Sequence, residues 1–159
     1  MAEYIEIPAQ NVALNNPIVF SSSPIPCNKG YVLHEDGTGN FILRGVTNNC
    51  FARYQLVYSG NVDIPEGGAV TAVGLAISVN GEERPSSLAI YTPQAVEEQG
   101  NLTCTAIVTV PRGCCFNVSV RYVDATVNDP AVTPTPTIEV ANSNLTITRM
   151  RERSMYESF

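Results

Sequence analysis

Apolar and polar residues alternate with a period of two along most of this chain, the signature of half-buried β-strands. From Phe51 to Val62 the residues Ala52, Tyr54, Leu56 and Tyr58 share one face, and Arg53, Gln55, Val57 and Ser59 share the other. The run Leu102–Val110 sets Cys104, Ala106, Val108 and Val110 against Thr103, Thr105, Ile107 and Thr109. Phe116–Val123 sets Phe116, Val118, Val120 and Tyr122 against Asn117, Ser119 and Arg121. Leu145–Arg149 repeats the pattern with Leu145 and Ile147 inward. Further strands are predicted at Tyr4–Ile7, Val12–Phe20, Tyr31–His34, Asn40–Arg44, Ala69–Val79, Leu88–Tyr91 and Thr137–Val140.

The breaks between these runs carry turn chemistry. Asn80-Gly81, set between an alternating run and a polar continuation, predicts a two-residue hairpin of type I′. Asp36-Gly37-Thr38-Gly39, Pro65-Glu66-Gly67-Gly68 and Pro111-Arg112-Gly113 read as further turns. Helical periodicity is confined to one short turn at Pro93–Gly100, with Pro at its start and Gly as its stop. Val127–Thr137 reads as an extended Pro/Thr loop. About ten antiparallel strands, each apolar on one face, require two packed sheets. The predicted fold is all-β, an antiparallel jelly-roll β-sandwich over residues 1–148, with 1–11 as an N-terminal arm or edge strand. Residues 149–159 form a charged C-terminal tail.

A chain of 159 residues with 44% apolar content can bury a core of its own. The apolar run Ala69–Gly81 falls well short of the ~20 residues a spanning helix needs, so no membrane role is expected. The N-terminus has no basic start and meets Pro8 before an apolar run develops, so no removable signal is expected either. Charged residues make up 15%, with 15 Asp+Glu against 9 Lys+Arg. The resulting net charge of −6 lacks the clustered cations a phosphate-tracking face requires, which argues against nucleic acid.

Catalytic parts are scarce. A single histidine, His34, removes most hydrolytic designs, and Ser21-Ser22-Ser23 has no nucleophile elbow around it. Glu82-Glu83 and Glu97-Glu98 are adjacent rather than facing across a cleft, so they read as solvated. His34 with Glu35-Asp36 could hold a divalent ion, but the segment is more simply a hairpin turn. Cys27, Cys50, Cys104, Cys114 and Cys115 include no Cys-x-x-Cys pair, so free and mostly buried thiols are expected. Asn101, Asn117 and Asn144 stand in glycosylation sequons that alternating Asn/Thr strands also produce by chance. No enzyme, no cofactor and no metal site follow from these residues.

Two features suggest contact. Tyr54, Tyr58 and Phe116 lie on neighbouring strands where Val and Leu would suffice, and rigid aromatics favour subunit interfaces. The tail concentrates Arg149, Arg151 and Arg153 with Met150, Met155, Tyr156 and Phe159; a frayed terminus is the simpler reading, and a docking peptide the alternative.

The order of these elements resembles the trimeric jelly roll of the tumour necrosis factor and complement globular-head superfamily. The residues that carry the likeness are Gly39-Asn40-Phe41-Ile42-Leu43 before the long strand, the Ile77–Ser87 hairpin with Asn80-Gly81, and the closing Leu145-Thr146-Ile147-Thr148. It spans about residues 12–149 and is near the tip domains of bacterial collagen-like surface proteins. The chain departs from those tips in lacking a Gly-x-y stalk, in Asn48-Asn49-Cys50, in its five cysteines and in its Arg-rich tail. It is also similar to phage capsid decoration and head-fibre proteins.

The resemblance implies a homotrimer assembled through one sheet of each protomer. The expected role is a structural virion protein, assembled in the host cytoplasm and displayed on the virion surface against a major capsid protein. Either Tyr4–Ala13 or the tail, Arg149–Phe159, would serve as the docking arm, and Tyr54, Tyr58 and Phe116 as the axis. A spore or cell-surface tip domain is the first alternative. A carbohydrate-binding module for surface glycans is the second, with Tyr31, Tyr91 or Tyr122 as a platform.

Overall fold

The computed structural model describes residues 1–27, 29–126 and 131–151. The described strands, in chain order, are β1 (Ala2–Glu6), β2 (Gln10–Ala13), β3 (Ser22–Ile25), β4 (Val32–His34), β5 (Phe41–Arg44) and β6 (Phe51–Asp63). They continue with β7 (Val73–Val79), β8 (Glu82–Glu83), β9 (Ala89–Tyr91), β10 (Gly100–Pro111), β11 (Cys115–Val123) and β12 (Thr137–Arg149). One sheet runs β10-β6-β12-β1-β3, with β2 also paired to β12. The other runs β4-β5-β11-β7-β8, with β9 also paired to β7. The strand ladders pair antiparallel, and two sheets of non-consecutive neighbours form the jelly-roll sandwich that the alternation predicts.

The core lies between the sheets and follows the predicted faces. Ala52, Tyr54, Leu56 and Tyr58 of β6 point into it with Val108 and Val110 of β10 and Leu145 and Ile147 of β12. Val118, Val120 and Tyr122 meet them from the opposite sheet. Burying each such side chain contributes about 1.5–3 kcal/mol, so these faces supply most of the driving force. A run of edge-on aromatic contacts crosses the sandwich, with Tyr4 and Phe20 on Phe41 and Phe20 on Tyr58. The Asn80-Gly81 hairpin forms as predicted. Both residues take positive φ, 53° and 85°, with Ser78 paired to Glu83 and Val79 to Glu82. The Asn80 side chain accepts from the Asn117 N–H at 3.0 Å and ties the turn to β11.

Three local expectations are corrected. The run Val12–Phe20 is not one strand, because Asn15 turns left-handed at φ 69° and Pro17 follows; only isolated pairings of Pro17 and Phe20 continue it. Pro93–Gly100 forms no helical turn, because Glu97 takes φ 62° and donates its N–H to the Ile64 carbonyl instead. The one short 3₁₀ turn described lies at Pro85–Ser87. Thr137–Val140 and Leu145–Arg149 are halves of a single strand whose register shifts between Ala141 and Asn144. Part of the predicted Pro/Thr loop lies outside the described residues.

Candidate functional site

Tyr54 and Tyr58 are fully buried inside the protomer and have no surface to offer a second copy. The alternation placed them on the inward face, and the ring size that suggested an interface is consumed by the core. Their hydroxyls are engaged within it. Tyr54 donates to the Arg44 carbonyl, and Tyr58 pairs with the buried Ser143 Oγ at 3.0 Å. Burial raises both phenol pKa values, with the Arg149 charge opposing at Tyr54. Phe116 is half-buried against the rim of the core. Tyr122 is equally unfit as a sugar platform: it is fully buried, donates to the Thr135 carbonyl, and has its pKa pushed up to about 12 by burial.

The surface of the larger sheet lies on the opposite side of β6, β10 and β12. Three cross-strand rows run over it: Thr103, Ser59 and Asn144; Thr105, Val57 and Thr146; Ile107, Gln55 and Thr148. None of the nine is charged. Ile107 is 51% exposed in the middle of β10. Arg53, lying over the Phe51 ring, marks one end of this face on β6, and Glu139 marks the other on β12. In a chain with 24 charged side chains, an uncharged area across three strands is a specific feature.

A second feature is concave. At the end of the sandwich where β12 leaves the sheet, a cavity of about 550 Å³ opens between the β3 end, the segment before β4, the loop before β6 and the β12 terminus. Lys29, Arg149 and Arg151 line it, and no carboxylate does among the described residues. Arg149 is a strand residue rather than part of a tail. Its guanidinium lies 4.4 Å from the Tyr31 ring centroid and 5.5 Å from that of Tyr54. Its Nη2 donates to the Val46 carbonyl at 2.8 Å, while Nη1 is buried and meets no acceptor among the described residues. Cys27 lies in the same cavity. Burial pushes its thiol pKa up, but the backbone N–H groups of Val32, Lys29 and Tyr31 outweigh that effect, and the net shift is downward. Of the predicted docking residues, Arg149 and Arg151 meet here; Arg153, Met155, Tyr156 and Phe159 lie outside the described residues.

The thiols are less buried than expected. Cys104 alone is fully enclosed, its pKa pushed up to about 12 by burial, whereas Cys50, Cys114 and Cys115 are exposed at strand ends. His34 is not poised as a ligand. Its side chain is 1% exposed, it stacks on Phe41 at 4.1 Å, and its ring nitrogens face the Asn40 and Phe20 carbonyls at 2.8 and 3.1 Å. Glu82, Glu83, Glu97 and Glu98 are exposed, as expected of solvated carboxylates.

The fold has clear structural relatives. The globular domain of the zebrafish complement 1qA protein matches 91% of this chain and 94% of its own, with TM-score 0.54 and 13% identity. The Eiger tumour necrosis factor of S. frugiperda matches 97% and 94%, with TM-score 0.62 and 9% identity. The C-terminal domain of EclA, a sugar-binding protein, covers 90% of this chain at TM-score 0.40 and 15% identity. No protein-family model and no curated protein matches the sequence. The chain therefore has the jelly-roll fold of the tumour necrosis factor and complement globular-head type.

Proposed function

We propose that this chain is a non-enzymatic protomer of a homotrimer that builds or decorates a virion surface, phage capsid decoration or a head-fibre tip being the specific setting. The observation that carries the trimer is the uncharged face of β10, β6 and β12. Burying Val57, Thr105, Ile107 and Thr146 against copies of themselves or a neighbouring edge covers no charged side chain among the nine, and cyclic symmetry closes the assembly. Glu3, opposite Thr146, and Arg84, on the Ile107 carbonyl, are left at the border. Desolvating a comparable charged surface would cost several kcal/mol per unpaired ion. The fold shared with the two jelly-roll domains above supports this architecture.

The interface thus moves from the buried Tyr54 and Tyr58 to the outward residues of the same strand and its neighbours. A role against a major capsid protein rests on the basic β12 terminus, Arg149 and Arg151, and the residues that follow it.

Light scattering on the purified chain tests the assembly. A mass of three chains is expected, and Ile107→Glu should shift it to that of one, because it forces a carboxylate into each copy of the contact. A wild-type monomer at micromolar concentration would overturn the reading. Removal of residues 152–159 should leave the trimer intact while abolishing retention on capsids that lack the protein; retained binding would remove the docking role from that segment.

A further inference from the structure

The basic cavity beside Arg149 lies outside the uncharged face proposed for the trimer, and its chemistry points to a ligand. Three of the chain's nine Lys and Arg residues, Lys29, Arg149 and Arg151, line one concavity of a protein whose net charge is −6. Like charges gathered without a counter-ion among the described residues repel one another, so the folded chain gains if an anion enters. Arg149 is already held: Tyr31 supports the face of its guanidinium and Val46 accepts from Nη2, while the buried Nη1 has no acceptor among the described residues. With Nη2 on the Val46 carbonyl and Nη1 buried, Arg149 offers the cavity a fixed positive charge rather than a free pair of donors.

The rest of the lining narrows the ligand. Ile25 and Met150 offer an apolar wall that inorganic phosphate would leave uncovered. Thr47 and Asn49 add a hydroxyl and an amide on the same cavity, and the Asn49 N–H bonded to Thr47 Oγ1 at 3.0 Å makes that corner a tight turn. A carboxylate, a C–H face and several hydroxyls are together the chemistry of an acidic sugar. The volume, about 550 Å³, lies within the range of pockets that enclose small organic ligands.

We propose that this cavity binds the carboxylate of an acidic sugar, with Arg149 and Lys29 pairing the anion, Arg151 at the rim, and Ile25 and Met150 against the ring. The site does not rest on the trimer, but it shares Arg149 and Arg151 with the docking role proposed above, so a ligand here and a capsid contact would compete.

Isothermal titration of the full chain at low salt tests it, with N-acetylneuraminic acid as the probe. Neutral N-acetylmannosamine, inorganic phosphate and the dipeptide Glu-Glu serve as comparison probes. The expected result is saturable binding of the acidic sugar alone, weakening as salt is raised. Lys29→Glu and Arg151→Glu replace exposed side chains, so they should fold normally and each weaken binding by about tenfold. Arg149→Gln should lose it altogether, with circular dichroism reporting the fold of that variant. Absence of binding to the wild type, equal binding of the neutral sugar, or indifference to both exposed charge reversals would overturn the proposal. Equal or tighter binding of phosphate would reassign the cavity to a simple oxyanion. Equal or tighter binding of Glu-Glu would reassign it to an acidic peptide.

Discussion

At one end of the β6–β12 pair Arg149 stands beside Tyr54; at the other, some 30 Å away by strand rise, Glu139 stands beside Asp63. Each end buries one polar atom that has no partner among the described residues, Arg149 Nη1 at the first and Asp63 Oδ1 at the second. Their surroundings differ in kind. Arg149 rests on aromatic faces that attract a cation and borders an open cavity. Asp63 is 7% exposed, and the Glu139 and Glu97 carboxylates add repulsion to its burial, so its pKa is raised. The same kind of defect is a binding opportunity where the neighbours compensate it, and a weakness where they repeat its charge.

Substitution should give opposite signs at the two ends. Arg149→Ala removes two ring contacts and the bond to Val46, and urea unfolding should show a loss of about 2 kcal/mol. A loss below experimental error would mean that the orphaned Nη1 cancels the ring contacts and that the ends are alike. Asp63→Asn removes a repelled charge and should stabilise the chain by up to about 1 kcal/mol in the same assay. Destabilisation there would show that Asp63 has a counter-ion after all.

The acid end also predicts a pH dependence. Because its pKa is raised on folding, Asp63 holds its proton more tightly in the native state. It therefore subtracts no stability below its unfolded value, near 3.8, and becomes increasingly destabilising as pH rises through the folded value. The difference in melting temperature between Asp63→Asn and the wild type should be small near pH 3 and grow upward from there. A difference that does not change with pH would sink this account.

The smallest effect concerns thiols. At the basic end Cys27, with its lowered pKa, should react with iodoacetamide at a lower pH than Cys104, whose thiol stays protonated and enclosed until the chain unfolds. Mass spectrometry of peptides after brief labelling distinguishes the two. Simultaneous labelling would erase the contrast.

Period-two alternation made the inward faces of β6, β10, β11 and β12 legible, and Asn80-Gly81 its hairpin, because both are local properties of consecutive residues. Alternation does not say whether a large ring on the inward face fills a core or meets a neighbour, which is why Tyr54 and Tyr58 suggested an interface that burial removes. β3 escaped notice because Ser22-Ser23-Pro24-Ile25 has no apolar rhythm and a proline suited to an edge strand. The basic cavity was illegible for a different reason. Lys29, Thr47 and Arg149 are separated by long stretches of chain, and only the pairing of β12 with β1 and β6 brings those stretches together. Arg149 itself drew notice, but as part of a tail, since a charge cluster after an alternating run looks like a strand that has ended.

The position of β12 also bears on how the chain reaches its fold. The latest of the described strands occupies the middle of the larger sheet, between β6 on one side and β1 and β2 on the other. Until residues 137–149 arrive, β1 and β6 have no strand between them and half of that sheet has no template. The closing contacts span most of the sequence, Ala2 with Ile147 among them, so loop closure precedes any reward in pairing. During synthesis the nascent chain must keep two open strand edges from other chains, and thirteen residues added late convert them into a finished sheet.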